Sequence, residues 1–228
     1  MVSVREKIAY GLGDTASNII FQTVMMFLML YYTDVVGLSP AVVGTMFLAV
    51  RVIDAVTDPL MGAMADRTHT RWGHFRPYLL WLALPFALIS ILAFTTPELT
   101  GTNKIIYAFT TYTLLMVAYT AINIPYCALG GVITADAKER VTVQSYRFVF
   151  GMLGGVIVAA CTMPLVEYFG QGDNAKGYQI TMTAMSILGF VLFLLCFLGT
   201  KERIEQPQSQ EVSFAKSAKS LWKNDQWR

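Results

Sequence analysis

Three charged residues lie close together inside one long apolar stretch of the sequence, and their spacing suggests ion chemistry. Arg51, Asp54 and Asp58 are separated by three and four residues, which places them on one face of a helix. Two carboxylates one turn apart repel each other, and a single arginine neutralises only one of them. A proton or a sodium ion would neutralise the remaining charge, with hydroxyl oxygens from Thr57 and Thr120 as further ligands. The pattern predicts a cation site at Asp54 and Asp58 with Arg51 as charge partner; the alternative is an ionic contact that merely ties helices together.

A second group of polar residues lies within otherwise apolar segments and could bind hydroxyl groups. Tyr119 and Asn123 belong to a polar band in one segment, and Arg147 lies near the start of another. Asn18 shares a helical face with Asp14 near the beginning of the chain. Amide and guanidinium donors beside aromatic faces suit a sugar ring, which has polar edges and an apolar face. These residues indicate a sugar site, although hydrogen bonding between helices is an alternative use for Asn123.

The polar connection after the second apolar segment contains an acid and several arginines. Gly62, Asp66, Arg67 and Arg71 are predicted to form a salt-bridged latch on the cytoplasmic rim of the bundle. The alternative is a simple basic anchor for the loop. That alternative accounts for the arginines but not for Gly62 or Asp66.

Lipid is the expected solvent for the elements that position these residues. The chain has 228 residues, of which 55% are hydrophobic and 14% charged, which is more apolar surface than one soluble core could bury. A membrane-spanning helix needs roughly 20 mostly apolar residues. Six segments meet this requirement: residues 8–32, 41–65, 78–96, 105–129, 144–169 and 178–199. The sequence therefore predicts an all-α membrane protein in which residues 1–200 form one bundle of six transmembrane helices.

The cysteines and the net charge exclude several other kinds of function. Cys127, Cys161 and Cys196 all fall within apolar segments, without the spacing of a disulfide framework or a metal site. The net charge of +2 indicates no nucleic-acid partner. No cofactor is expected beyond a coupling cation, and no metal beyond the sodium ion considered above.

Basic residues are distributed unevenly along the chain, and this distribution predicts the orientation in the membrane. Lysine and arginine favour cytoplasmic loops. Most of the 17 basic residues lie at the N-terminus, in the second and fourth connections and in the tail, whereas the opposite side contains Lys104 and Lys176. Both termini are therefore predicted to be cytoplasmic, in a multi-pass protein of the cell membrane.

The last part of the chain, residues 201–228, becomes polar and then resumes an amphipathic pattern through Phe214, Ala218, Leu221 and Trp222. The pattern predicts a cytoplasmic linker followed by a short amphipathic helix at the membrane interface. Nothing in this segment closes a domain. It is expected to lead into a second membrane bundle, and residues 1–228 are interpreted as a fragment.

Four motifs follow one another along the chain in an order typical of one transporter family. They are Tyr31-Tyr32-Thr33-Asp34-Val35-Val36-Gly37-Leu38-Ser39, Arg51-Val-Ile-Asp54-Ala55-Val-Thr57-Asp58-Pro59, Arg71-Trp72-Gly73-His74-Phe75-Arg76-Pro77 and Tyr119-Thr120-Ala-Ile-Asn123-Ile-Pro125. With these motifs the chain resembles, over its whole length, the glycoside-pentoside-hexuronide:cation symporters. That family is the melibiose-permease-like branch of the major facilitator superfamily.

The resemblance implies a cation-coupled sugar transporter of a bacterial inner membrane. By that resemblance Asp54 and Asp58, helped by Thr120, form the cation site. Residues of the first, fourth and fifth helices would line the sugar site, and here they are Asn18, Asn123, Cys127 and Arg147. Family members are about twice as long, with a second six-helix bundle and alternating access between the halves. The chain alone is therefore expected not to transport.

Departures from melibiose-type members bear on the substrate and the ion. Those members have acids in place of Asn18 and Asn123, tryptophan in place of Cys127 and lysine in place of Ser17. An amide both donates and accepts hydrogen bonds, whereas a carboxylate accepts two from vicinal hydroxyls. The comparison favours a pentose or xyloside over a galactoside. Sodium-using members have asparagine in place of Thr57, whose single oxygen weakens a sodium cage, so protons are favoured.

Other functions are compatible with parts of the pattern. A facilitator or a sugar-binding sensor would bind sugar without coupling it to an ion. Gly11-Leu12-Gly13-Asp14 matches the Gly-x-Gly-Asp pattern of intramembrane aspartyl proteases, but the sequence lacks their Pro-Ala-Leu turn. The second aspartate of such a protease lies on a neighbouring helix, whereas Asp54 and Asp58 form a pair within one helix. The chain is therefore expected not to be an enzyme.

Overall fold

A computed structural model describes residues 1–204 as a bundle of six long helices. Their bounds are Val4–Thr23 (α1), Pro40–Arg67 (α2), Arg76–Ala93 (α3), Thr102–Val132 (α4), Ala137–Gly170 (α5) and Asn174–Gly199 (α6). Residues 1–204 contain no β-strand, apart from an isolated bridge between Thr70 and Gly73 in the loop before α3. The predicted all-α fold is confirmed. The amphipathic helix expected in the tail lies outside the described residues.

Five of the helices, α2 to α6, are long and apolar enough to cross a membrane. Helix α1 is not, because every stretch of 18 residues within it contains Glu6, Lys7 and Asp14. It continues, however, through wider π-helical turns at Val24–Leu28 and Tyr31–Val35, the first of which is entirely apolar. Residues 4–35 therefore form one long helical element where residues 8–32 were predicted.

The other helices differ from their predicted bounds by up to seven residues, and polar capping residues explain the early starts of α5 and α6. Helix α5 begins at residue 137 rather than 144, since the Asp136 carboxylate accepts hydrogen bonds from the N–H groups of Lys138 and Glu139. Asp173 caps α6 in the same way, so that helix begins at residue 174 rather than 178. Helix α3 ends at Ala93 rather than at residue 96, because the chain leaves the helix ahead of a nearby proline.

Helix α1 is central to the packing: its most extensive contacts are with α5 and then with α6. Glycines permit the close approach of α1 and α5. A β-carbon on Gly151 would collide with the Asp14 carboxylate, and one on Gly154 would lie 3.1 Å from the α1 backbone. A β-carbon on Gly155 would meet only Gln22, at 3.9 Å. Of these three glycines, Gly151 and Gly154 are therefore needed for the close packing of α1 and α5.

Two tyrosines fix α1 against α4 in the buried centre of the bundle. Tyr126 donates its hydroxyl to the backbone O of Tyr10 at 2.7 Å, and Tyr10 donates to the backbone O of Tyr126 at 3.4 Å. Their rings stack with centroids 4.9 Å apart. Because buried hydroxyls without partners are costly, this reciprocal arrangement favours one register between the two helices. That register sets the relative height of the polar residues on α1 and α4.

Candidate functional site

The guanidinium of Arg147 on α5 joins residues from three helices. Its Nε donates a hydrogen bond to Asp14 Oδ1 on α1 at 3.0 Å, and its Nη2 donates to Cys127 Sγ on α4 at 3.1 Å. The group also lies 5.4 Å from the centre of the Tyr126 ring and 5.9 Å from that of Phe148. The Arg147 and Asp14 side chains are only 20% and 11% exposed. The ion pair is therefore largely shielded, and its orientation is fixed from several sides.

The predicted sugar-binding asparagines extend this arrangement. Asn18 Nδ2 donates to the backbone O of Asp14 at 2.9 Å and to its Oδ2 at 3.4 Å. Cys127 donates its S–H to Asn123 Oδ1 at 3.9 Å, a weak hydrogen bond. Asn18, Asn123, Cys127 and Arg147 thus form, with Asp14, one polar network across α1, α4 and α5. We call it the sugar network. Its α1 side opens onto a groove whose other wall is α5.

Tyr119, also predicted to bind sugar, lies beside this network rather than within it. Its ring stacks on Phe21 with centroids 4.7 Å apart and an interplanar angle of 18°, and it lies 6.2 Å from Phe86. Within residues 1–204 its hydroxyl makes no hydrogen bond to the protein. Tyr119 therefore contributes an aromatic wall one turn before Asn123.

The predicted cation-binding residues form a second network, between α2 and α4, which we call the cation network. Arg51 Nη1 donates to Asp54 Oδ2 at 3.2 Å, and Thr120 Oγ1 donates to Asp58 Oδ1 at 2.9 Å. Asp54 is buried, and its Oδ1 has no hydrogen-bond partner within residues 1–204. Thr57 donates to the backbone O of Asp54 at 3.4 Å, so its proton is engaged by its own helix.

Helix α4 carries residues of both networks. Thr120 belongs to the cation network and Asn123 to the sugar network, and a spacing of three residues places them next to each other on the helix surface. Asp58 on α2 and Cys127 on α4 are the respective neighbours of the two residues. A displacement of α4 against α2 would therefore move both networks together.

The predicted latch of Gly62, Asp66, Arg67 and Arg71 forms no ion pair within residues 1–204 and stays a prediction. The described part of the chain offers no opposite charge within salt-bridge distance of any of its three charged side chains. These side chains are exposed at the end of α2 and in the loop after it, and Arg71 instead lies over the Trp72 ring at 4.4 Å. A β-carbon on Gly62 would meet nothing within 4 Å, so packing does not require glycine there.

The same end of the bundle is fastened by residues 201–204, which we call the clasp. The Glu202 carboxylate accepts three backbone N–H groups at 2.8 Å each, from His74, Phe75 and Arg76. These N–H groups lie at the start of α3, where a helix has unpaired donors and a positive dipole end. Glu202 therefore caps α3 from the far end of α6, across more than 120 residues of sequence.

Arg203 forms the second part of the clasp. It makes a bidentate ion pair with Glu6 near the start of α1, with Nη1 to Oε1 at 2.7 Å and Nη2 to Oε2 at 2.8 Å. The hydrogen bonds that Arg203 donates to the Glu6 carboxylate raise the pKa of its guanidinium. The backbone N–H groups of Arg203 and Ile204 both donate to the backbone O of Val132 at the end of α4. The first residues of the predicted linker are therefore bound to the bundle.

Sequence reasoning missed the pairing of Asp14 with Arg147 and the clasp. A signal for the first was present: Asp14 is the one charged residue of segment 8–32, and Arg147 is the one basic residue of segment 144–169. Opposite charges in apolar segments tend to pair across helices. Glu202 and Arg203 gave no comparable signal, because they follow the last apolar segment and lie among other polar residues.

Comparison with known proteins identifies relatives of the whole chain. A sequence profile described as MFS/sugar transport protein matches residues 9–228. The inner membrane symporter YicJ of Escherichia coli (strain K12) is 48% identical over 228 residues, which are 100% of this chain and 49% of that protein. The putative glycoside/cation symporter YagG of the same organism is 48% identical over 227 residues, again 100% and 49%. The isoprimeverose transporter of Lactiplantibacillus pentosus is 41% identical over 230 residues, 100% of this chain and 48% of its own length. The chain spans about half the length of these relatives.

Proposed function

Because the chain belongs to the MFS/sugar transport protein family, we propose that it supplies half of a transporter that carries a sugar or glycoside together with a cation across the cell membrane. The resemblance to glycoside-pentoside-hexuronide:cation symporters agrees with this membership. The family consists of transporters rather than enzymes, so the protease interpretation of Gly11-Leu12-Gly13-Asp14 is discarded. Asp14 has another use, since it pairs with Arg147.

The observation that carries the proposal is the sharing of α4 by the two polar networks. Symport requires that binding of one ligand changes the affinity for the other. Thr120 contacts Asp58 in the cation network, and Asn123 contacts Cys127 in the sugar network. Because Thr120 and Asn123 are one turn apart on a single rigid helix, a change in one network is transmitted to the other.

The proposed mechanism begins with charge neutralisation in the cation network. Arg51 neutralises one unit of the negative charge on Asp54 and Asp58, and a bound proton or sodium ion neutralises the other. With that charge removed, α2 can settle against α4 without the cost of a buried, unpaired carboxylate. This movement of α2 against α4 aligns Asn123 with Arg147, so that both side chains can bind the sugar. By linkage, the sugar then tightens cation binding by the same factor.

The favoured substrate is a pentose or xyloside, with H+ favoured over Na+ as the coupling ion. Amides at positions 18 and 123 offer both donors and acceptors to sugar hydroxyls. One relative is named an isoprimeverose transporter, and isoprimeverose is a pentoside. Thr57 offers a single oxygen at the position where sodium-using members have asparagine, which favours a proton over sodium.

The transporter proposed here is completed by a second six-helix bundle, with the sugar between the halves and with alternating access. The chain alone supplies one wall of that site, so residues 1–228 by themselves are expected not to accumulate sugar. Both termini are proposed to be cytoplasmic, in a bacterial inner membrane. Apart from the second bundle, the proposed partners are the sugar, the coupling cation and lipid.

The test is uptake of labelled sugars by cells that express the natural full-length protein containing this chain. A panel of pentoses, xylosides and galactosides is offered, and the sodium gradient and the proton gradient are collapsed separately. Loss of uptake on collapse of one gradient, for a pentose or xyloside, is the expected result.

Uptake that is indifferent to both gradients would contradict symport. It would indicate a facilitator, and it would return Asp54 and Asp58 to the role of ionic contacts between helices. Binding of sugar without any uptake would indicate a sensor.

A further inference from the structure

A pocket lies beside the cation network, between α2, α4 and the π-helical turn that follows α1, and the proposed mechanism makes no use of it. Its volume is about 380 Å³, which is room for several water molecules. Most of its lining comes from α2. The lining residues are Met25, Gly44, Phe47, Leu48, Arg51 and Tyr112. We call it the Arg51 pocket.

The Arg51 side chain stands between this pocket and Asp54. Its Nη1 donates to Asp54 Oδ2 at 3.2 Å, and its Nη2 donates to Met25 Sδ at 3.8 Å, a weak hydrogen bond. Arg51 lines the pocket, whereas Asp54 does not, and Asp54 Oδ1 is buried without a hydrogen-bond partner in residues 1–204. A cation in the pocket would therefore meet the Arg51 side chain before it met the Asp54 carboxylate.

Two polar groups indicate that the pocket contains water. The Arg51 side chain is 49% exposed, although α2 is long and apolar enough to cross a membrane. A guanidinium against lipid is costly, so its exposed side must face water or protein. The Tyr112 hydroxyl is buried and has no hydrogen-bond partner within residues 1–204, and an ordered water commonly binds such a group. Water in the pocket would hydrate both groups.

The proposed orientation places the Arg51 pocket on the outer side of the two carboxylates. With both termini in the cytoplasm, α1 runs outward and α2 runs back, so the start of α2 lies nearer the outside than its end. Gly44 and Arg51 belong to the first half of α2, and Asp54 and Asp58 follow them toward the cytoplasm. The pocket therefore lies between the outer surface and the cation network.

We propose that the Arg51 pocket is the water-filled entry by which the coupling cation reaches Asp54 and Asp58 from outside the cell, with Arg51 as its inner gate and Tyr112 as a polar group on its wall. This inference rests on the proposed function, because it concerns the path to the cation site of that transporter. It adds Gly44 and Tyr112 to the residues that govern coupling.

A charge placed in the pocket tests the proposal, because it changes the local concentration of any cation that passes through. Gly44 suits this test: a β-carbon there would meet nothing within 4 Å, so a larger side chain extends into open space. Glutamate and glutamine have nearly the same shape and differ by one charge. Comparison of Gly44→Glu with Gly44→Gln therefore separates the effect of charge from obstruction of the pocket, and Gly44→Lys supplies the opposite sign.

The experiment measures sugar uptake by cells that express the natural full-length protein, with the sugar of the pentose, xyloside and galactoside panel that wild type accumulates best. External sodium is varied at fixed pH, and external pH is varied at fixed sodium. Each titration gives the concentration of Na+ or H+ at half-maximal uptake. Relative to Gly44→Gln, Gly44→Glu is expected to lower that concentration by about threefold and Gly44→Lys to raise it by about threefold.

Tyr112→Phe tests the wall of the pocket independently of Gly44. It keeps the ring, whose centroid lies 4.8 Å from that of Phe47, and removes only the hydroxyl. It is expected to raise the half-maximal cation concentration by about threefold, through loss of one hydrogen bond to water or to the cation on its path.

Two controls separate entry of the cation from other effects. Thr100 is exposed on the same side of the membrane, in the connection before α4, and does not line the pocket. Thr100→Glu and Thr100→Lys are expected to leave the half-maximal concentration unchanged. Sugar affinity of each purified variant at saturating cation is expected to equal that of wild type, because the pocket is not part of the sugar network.

The outcomes distinguish this inference from the proposed function. If wild-type uptake is absent, or indifferent to sodium and pH, the proposed function fails and the entry falls with it. If wild type responds to the cation but the three Gly44 variants share one half-maximal concentration, the entry is refuted and symport stands. A shift at Thr100 as large as at Gly44 refutes it too. If the Gly44 variants do not fold, Tyr112→Phe decides: an unchanged half-maximal concentration overturns the inference.

Discussion

One oxygen of Asp54 is the residue-level feature that bears most directly on ion coupling. Oδ1 of Asp54 is buried and lacks a hydrogen bond from residues 1–204, while Oδ2 is paired with Arg51. A buried acceptor without a partner costs about 1 to 3 kcal/mol, and more when it is charged. A proton or a cation at this oxygen would remove the cost. Asp58, one turn away, already accepts a hydrogen bond from Thr120.

Replacing Asp58 by asparagine should therefore abolish the effect of the cation on sugar binding. In the natural full-length protein the cation is expected to tighten sugar binding by roughly 5- to 150-fold. Asp58→Asn removes the surplus charge permanently, so sugar binding should persist but no longer respond to sodium or pH. The measurement is sugar affinity with and without sodium, at acidic and alkaline pH.

Thr120→Val is the matched control, because it removes the hydrogen bond to Asp58 but keeps both carboxylates. It should weaken the cation effect without abolishing it. A cation effect of wild-type size in Asp58→Asn would contradict the coupling mechanism.

Local spacing predicts contacts within a helix much better than contacts between helices. Arg51 and Asp54 are three residues apart, and the shared face expected from that spacing is occupied by their ion pair. The partner of Asp14 is 133 residues away, so its identity depends on how α1 packs against α5. That packing depends on glycines such as Gly151, whose neighbours a single sequence does not reveal.

At the scale of helices, the start of α3 depends on a residue that follows α6. Phe75, the residue before α3, provides no side-chain cap, and Glu202 supplies the acceptor instead. Glutamine at position 202 would offer one acceptor oxygen and an amide that repels the N–H donors. Glu202→Gln is expected to destabilise the protein by about 1 kcal/mol, the usual value of a cap with a favourable helix dipole.

Thermal unfolding of the purified protein in detergent measures this loss. Glu98→Gln is the control, since Glu98 is exposed in the connection between α3 and α4. It removes the same charge and should leave the unfolding temperature unchanged. Equal unfolding temperatures for the two variants would show that the clasp does not stabilise α3.

The presence of each helix could be predicted from the sequence because each apolar segment is long. The residues at which the helices begin could not be predicted, because the capping residues are polar. Asp136 and Asp173 lie outside the apolar segments, yet their carboxylates begin α5 and α6. Counting apolar residues therefore places the starts too late. The clasp could not be predicted for a different reason. In the sequence Glu202 looks like any other residue of a polar linker, and its role is evident only from its contact with the start of α3.

At the scale of the whole molecule, α2 and α5 are the most exposed of the candidate spans. In the apolar stretch of each helix, 22% of the residues of α2 and 28% of those of α5 are buried, against 44% in α3, α4 and α6. Apolar side chains such as Val52, Val56 and Met152 face outward. Five helices long and apolar enough to cross a membrane agree with the prediction from composition that the chain is a multi-pass membrane protein.

The proposed orientation predicts opposite labelling at two positions. Thr100 is exposed in the connection before α4, and Lys138 is exposed in the first turn of α5. With cytoplasmic termini, a cysteine at position 100 lies outside the cell and one at position 138 lies inside. In a variant without the native cysteines, an impermeant maleimide should label Thr100→Cys in intact cells and Lys138→Cys only after permeabilisation. The reverse pattern would invert the proposed topology.

Two long-range ion pairs formed by acids of α1 also constrain the order of events during synthesis. Asp14 and Glu6 emerge from the ribosome among the first residues, but their partners Arg147 and Arg203 follow 133 and 197 residues later. At about 5 to 20 residues per second, Asp14 waits roughly 7 to 27 seconds for its counter-charge. Until then, α1 carries an uncompensated acid. Helix α1 therefore reaches its final position in the bilayer late, after the helices that follow it have been synthesised.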